Sequence, residues 1–175
     1  MKKRTEKSGK EKLETPGRLQ AGLKSKDVIQ LIEALEGVKL DFDHLYYYEH
    51  TGLIVPSLRS AKGRGVPKLY STEDFIVLRW LVSIQKNGIP VSRFREVLTF
   101  LKEKMPEVLK EPQNWVLITD GKSVQFFDRV SSRAFDVLKD TGQYLFFFPI
   151  GKVAEESRKA VKTLGKRQRN QQAGA

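Results

Sequence analysis

The chain has 175 residues, and 32 Lys and Arg against 21 Asp and Glu give it a formal charge of +11. That length fits one or two small domains. The absence of cysteine excludes a disulfide framework, a Cys-ligated zinc site, an iron–sulfur cluster and a thiol nucleophile, and two histidines, His44 and His50, supply a metal site poorly.

No metal or cofactor is therefore expected. No apolar run approaches a membrane span, and the N-terminal segment has charge without the apolar core of a signal peptide. The sequence predicts a cytoplasmic, nucleoid-associated protein with no membrane partner. Charge is unevenly spread: net +4 over residues 1–22, net +5 over 151–175, leaving +2 for 23–150. Within that middle region, 57–70 holds Arg59, Lys62, Arg64 and Lys68 and no acid. A local basic patch of this kind suits contact with a polyanion.

Residues 1–22 lack apolar periodicity and read as a disordered basic tail. A first helix is predicted from Ser25, which suits capping, with Val28, Leu31, Ile32 and Leu35 on one face and Gly37 as the left-handed stop. Asp41 then suits the cap of a second helix running to about His50 and carrying Tyr46, Tyr47 and Tyr48. Two short helices joined by a tight turn predict a helix-turn-helix, whose second helix can enter a major groove. After the Thr51-Gly52 break, Ser57–Ser60 and Val66–Tyr70 are candidate strands around the loop Lys62-Gly63-Arg64-Gly65, a β-hairpin wing with Pro67 marking an edge.

Ser71-Thr72-Glu73-Asp74 is close to a capping box and opens a third helix, which ends at Asn87-Gly88. A fourth begins near Pro90, has Val91, Phe94, Val97, Leu98 and Leu101 on one stripe, and stops at Met105-Pro106. Trp115–Ile118 and Ser123–Phe127 flank Asp120-Gly121, a strong hairpin signal. A helix from Ser131 to Gly142, a strand over Tyr144–Phe148 buried on both faces, and a helix from Gly151 complete a predicted ββαβα module. The expected fold class is α+β. It comprises a winged helix-turn-helix over 23–105, a small α/β dimerisation or effector module over 113–165, and a disordered tail over 166–175.

Tyr47-Tyr48-Glu49-x-x-Gly52-Leu53, Lys68-Leu69-Tyr70-Ser71-x-x-Asp74, Leu78-Arg79 and Gly88-Ile89 together resemble the DNA-binding domain of the MerR family, named for the mercury-resistance regulator. The resemblance covers about residues 23–104 and implies helix-turn-helix, wing and helix pair in that order. Tyr46 and Lys68 stand where the family usually has arginine, and Met105-Pro106 and Glu111-Pro112 interrupt the region of its long dimerisation helix. By this resemblance Tyr48 faces the DNA backbone and Tyr47 packs partly inward.

The candidate DNA-binding residues are Asp43, His44, Tyr46, Tyr47, Tyr48, Arg59, Lys62, Arg64, Lys68 and Tyr70. Phenols donate to phosphate or touch thymine methyls, an acid accepts from a cytosine amino group, and the wing cations suit phosphate or the minor groove. No nucleophile–base pair or phosphate-cradling loop appears, so no catalytic residue is assigned. The sequence predicts a sequence-specific, double-stranded DNA-binding transcriptional regulator, a homodimer on an inverted-repeat operator. Residues 113–165 are expected to hold a protein partner or a small effector. The alternative is a protein-interaction adaptor or antitoxin-like component that binds nucleic acid weakly.

Overall fold

A computed structural model describes residues 22–60, 66–119, 124–128, 133–136 and 146–174. Helices α1 (Ser25–Glu36) and α2 (Phe42–His50) are joined by a tight turn. Helices α3 (Thr72–Lys86), α4 (Val91–Lys104) and α5 (Pro106–Lys110) follow. A turn of 3-10 helix then leads into strands β1 (Trp115–Thr119), β2 (Val124–Asp128), β3 (Arg133–Asp136) and β4 (Phe146–Phe148), and α6 (Ile150–Ala173) closes the chain. Helix and antiparallel sheet are thus both present, as an α+β class requires.

The helix ends follow local chemistry. Gly37 ends α1 at φ 64°, a conformation that costs a side chain but not glycine. Asp41 caps α2 by accepting the His44 N–H at 2.8 Å. Ser71 and Asp74 form a reciprocal capping box on α3, with N···O distances of 3.0 and 2.8 Å. Ser25, expected to cap α1, is already helical. Lys24 takes the cap position, and its N–H donates to Asp27 Oδ2 at 3.0 Å.

Helix α3 is the centre of the molecule. Phe75, Ile76, Leu78, Arg79, Trp80, Leu81, Val82 and Ile84 are all buried, so it is covered on nearly every side. It packs against α1, α4 and α6. The buried Arg79 fixes this arrangement. Its Nε donates to Glu36 Oε1 of α1 at 2.6 Å, and Nη2 to Glu156 Oε2 of α6 at 2.9 Å. Nη1 reaches the Val153 carbonyl at 3.0 Å and Ser157 Oγ at 3.2 Å. Trp80 Nε1 donates to the Ile150 carbonyl at 3.3 Å on the same helix. Gly151 lies so close to the 3-10 turn that a Cβ there would meet Gln113 Cα at 2.6 Å.

The two segments expected to form a wing, Ser57–Ser60 and Val66–Tyr70, are joined by the antiparallel bridge Arg59–Leu69, Tyr70 also pairs with Leu23, and the loop between the segments lies outside the described residues. Three expectations are corrected. The helix expected from Ser131 is replaced over Arg133–Asp136 by β3, which aligns Phe135 with Phe126 and Ala134 with Phe127. Ala134, Phe135 and Leu138 are too few apolar residues to fix a period, and an open edge of β2 offers hydrogen bonds to an extended chain. The sheet order is β3-β2-β1-β4, all antiparallel, and among the described residues the module runs ββββα rather than ββαβα. Strand β4 buries only one face: Phe148 is inside while Phe147 is 65 % exposed. Finally, 166–173 is not a tail but the last two turns of α6, which Gln168 ties to Asp27 of α1 at 3.3 Å. No helix among the described residues is long and apolar enough to cross a membrane.

Removing the guanidinium leaves the Glu36 carboxylate, on a side chain only 10 % exposed, without its ion-pair partner. Arg79→Leu is therefore expected to cost about 3–5 kcal/mol of unfolding free energy, measured by urea titration, and Arg79→Lys a large part of it because the fork is lost. A cost under about 1 kcal/mol for Arg79→Leu would contradict the role given to this residue.

Candidate nucleic-acid interface

One helical period explains which faces of α2 are hidden. Leu45 and Tyr48, three residues apart, point into the core and are 2 % and 5 % exposed. Asp43, Tyr46, Tyr47 and His50 fall at i, i+3, i+4 and i+7 and are all exposed. Tyr46 and Phe42 are each 60 % exposed and Tyr47 52 %, which gives this short helix an unusually aromatic outer surface.

The inward tyrosine corrects the orientation that the resemblance implied. Tyr48 donates its hydroxyl to Gln85 Oε1 of α3 at 2.6 Å, and burial raises its pKa. Tyr47, expected to pack partly inward, faces outward. Tyr46 is ordered from two sides. Its ring stacks on His50 with centroids 5.8 Å apart and planes within 10°, and the Lys68 ammonium lies 5.6 Å from its centroid. At the start of the helix, His44 Nδ1 lies 2.7 Å from Asp41 Oδ1. The backbone N–H of His44 and then its ring hold the Asp41 carboxyl below its ordinary pKa.

Glu49 joins α2 to the segment that follows it. One carboxylate oxygen pairs with Lys68 and the other accepts from the Tyr70 hydroxyl. Tyr70 is fully buried, and burial first, then the bond to Glu49, push its pKa well above 10.0. Tyr48 and Tyr70, both expected to touch DNA, are therefore inside the protein and position its surface. Lys68 lies beside the Tyr46 ring while tied to Glu49. Arg59 is exposed, with Nε donating to the Pro67 carbonyl at 3.0 Å. Lys62 and Arg64 lie outside the described residues.

The structure thus gathers Asp43, His44, Tyr46 and Tyr47 on one helix, with Lys68 beside them. Phe42, Glu49 and His50 belong to this region and were not singled out from sequence. His50 was detectable, being one turn beyond Tyr46; Glu49 was not, because its partners are 19 and 21 residues away. Among the described residues no group of three or more His, Cys, Asp or Glu side chains could hold a metal ion.

No family model matches the chain. It is similar to proteins named uncharacterised HTH-type transcriptional regulators from Mycobacterium bovis and two strains of Mycobacterium tuberculosis. Each is 33 % identical over 85 residues, 49 % of this chain. The chain covers 36 % of the length of these curated relatives. This likeness and the α1–turn–α2 geometry agree on a helix-turn-helix.

The Tyr70–Glu49 contact has a pH signature. A phenol whose pKa is raised by folding adds stability that is complete below its unfolded value of 10.0 and is lost as pH rises through the higher folded value. Unfolding free energy is expected to decline above about pH 10, and less steeply in Tyr70→Phe. Identical alkaline profiles for the two proteins in denaturant titrations would show that Tyr70 contributes nothing.

Proposed function

We propose that this protein is a sequence-specific, double-stranded DNA-binding transcriptional regulator of MerR-like type, acting on the nucleoid in the cytoplasm. The observation that carries the reading is the position of Lys68 over Tyr46, which sets the end of the basic segment beside the exposed face of α2. A reading helix flanked by a cationic hairpin is a familiar arrangement for docking on duplex DNA. The names of the mycobacterial relatives point the same way.

In this reading α2 enters the major groove. Tyr46, Tyr47 and Phe42 offer apolar edges to thymine methyls, and the phenols also donate to phosphate. Asp43 accepts from a cytosine amino group, and His44 lies near the same bases. Arg59, Lys62 and Arg64 run along the flanking backbone as a wing. Lys68 completes the charge of that face while orienting Tyr46. A homodimer with two such helices would bind an inverted repeat.

A protein-interaction adaptor is the second reading, favoured by Phe147, a large apolar side chain left exposed on β4. Salt-dependent binding to random-sequence duplex DNA separates the contributions. Arg59→Ala is expected to weaken binding across all sequences and to reduce the slope of log K against log salt by about 1. Tyr47→Ala should leave that slope within experimental scatter while costing about 1–3 kcal/mol on a preferred site. An unchanged slope in Arg59→Ala would remove the wing from the interface.

A further inference from the structure

A cavity of about 610 Å³ opens between the segment that follows α2, helix α3, the ends of α4 and α5, and α6. That volume is in the range of small-molecule sites, roughly 300–1,000 Å³. Its walls include Leu53, Ile54, Val77, Trp80 and Leu109. Such a surface favours an apolar body by removing it from water. The rim is charged. Lys102 of α4, Lys110 of α5 and Arg158 of α6 all line it, one from each of three helices, and all three are exposed. Among the described residues none of these cations is held in an ion pair.

Two acids also line the cavity, Glu73 and Asp74, and they differ in availability. Asp74 Oδ2 already accepts from Ser57 N at 2.9 Å, Ser57 Oγ at 2.7 Å and Ser71 N at 2.8 Å. These bonds turn Asp74 toward Ser57 and Ser71. Three cations against the two acids leave the lining a formal net charge of +1, which suits a singly charged anion better than a multiply charged one. An apolar floor beneath a cationic rim is complementary to an amphipathic molecule.

We propose that this cavity binds a small amphipathic monoanion, an apolar chain or ring system carrying one carboxylate. The apolar part lies against Trp80, Val77 and Leu109, and the carboxylate accepts charge-assisted hydrogen bonds from Lys102, Lys110 and Arg158. The site spans both the helix-turn-helix half and the C-terminal helix. It does not depend on the DNA reading, and its test contains no DNA.

The full chain is titrated calorimetrically with decanoate and, separately, with decanol, which has the same apolar length and no charge. Decanoate is expected to bind saturably at one site, at least about tenfold more tightly than decanol. Changing Lys102, Lys110 and Arg158 together to Gln should abolish that preference and leave decanol binding unaltered. All three are exposed, so the variant is expected to fold, which its circular dichroism and melting temperature verify. Val77→Trp should fill the cavity and weaken both ligands. Equal affinities for the two ligands, no saturable binding, or an unchanged preference in the triple variant would each overturn the proposal.

Discussion

The arrangement depends most on one buried cation. Arg79 sits in the middle of α3, is 3 % exposed, and would be costly to bury unpaired. The structure meets that constraint by bringing Glu36 from α1 to Nε and Glu156 from α6 to Nη2, while Nη1 donates to the Val153 carbonyl and Ser157 Oγ. The planar fork of arginine fits this set; an ammonium on a flexible stem would not. The pairing fixes where the first helix of the helix-turn-helix lies relative to the C-terminal helix. A single hydrophobic cluster runs through both, from Val28 and Ile32 to Ile150 and Ala154.

A second charged residue does the equivalent work for the outer surface. Glu49 draws Lys68 and Tyr70 onto the inner edge of α2, so that the end of the basic segment is anchored beside the helix. With Tyr48 turned inward to Gln85, the remaining aromatic residues are forced outward by helix geometry alone. Exposed aromatic rings have a cost in water, and their persistence on a helix flanked by cations is what gives the surface its chemical character. The expected contacts on α2, with Lys68 and Tyr70, thus divide in two. Tyr48, Tyr70 and Lys68 build the surface, and Asp43, His44, Tyr46 and Tyr47 constitute it.

The helices of the N-terminal half were legible because their signals are local. Asp41, Ser71, Asp74, Gly37 and Gly88 mark ends through hydrogen bonds or backbone freedom within a few residues, and the stripe on α4 is long enough to define its period. The phase of α2 was harder, since three adjacent tyrosines carry no periodicity and only Leu45 sets the buried side. The C-terminal half was read less well. Arg133–Asp136 becomes a strand through pairing with β2, and the polar end of α6 is helical while it packs against α1, neither of which short windows of sequence reveal. The partners of Arg79 are 43 and 77 residues away, so its burial is a property of the fold alone.

The most direct test of the central claim, that the outer face of α2 reads DNA sequence, is selection of bound duplexes from a fully random pool, run in parallel with the unaltered protein and with Tyr46→Ala/Tyr47→Ala. The account predicts an enriched motif with two-fold symmetry for the unaltered protein, and loss of that enrichment in the double variant while non-specific binding remains. Recovery of the same motif by both proteins, or no motif from either, would contradict it.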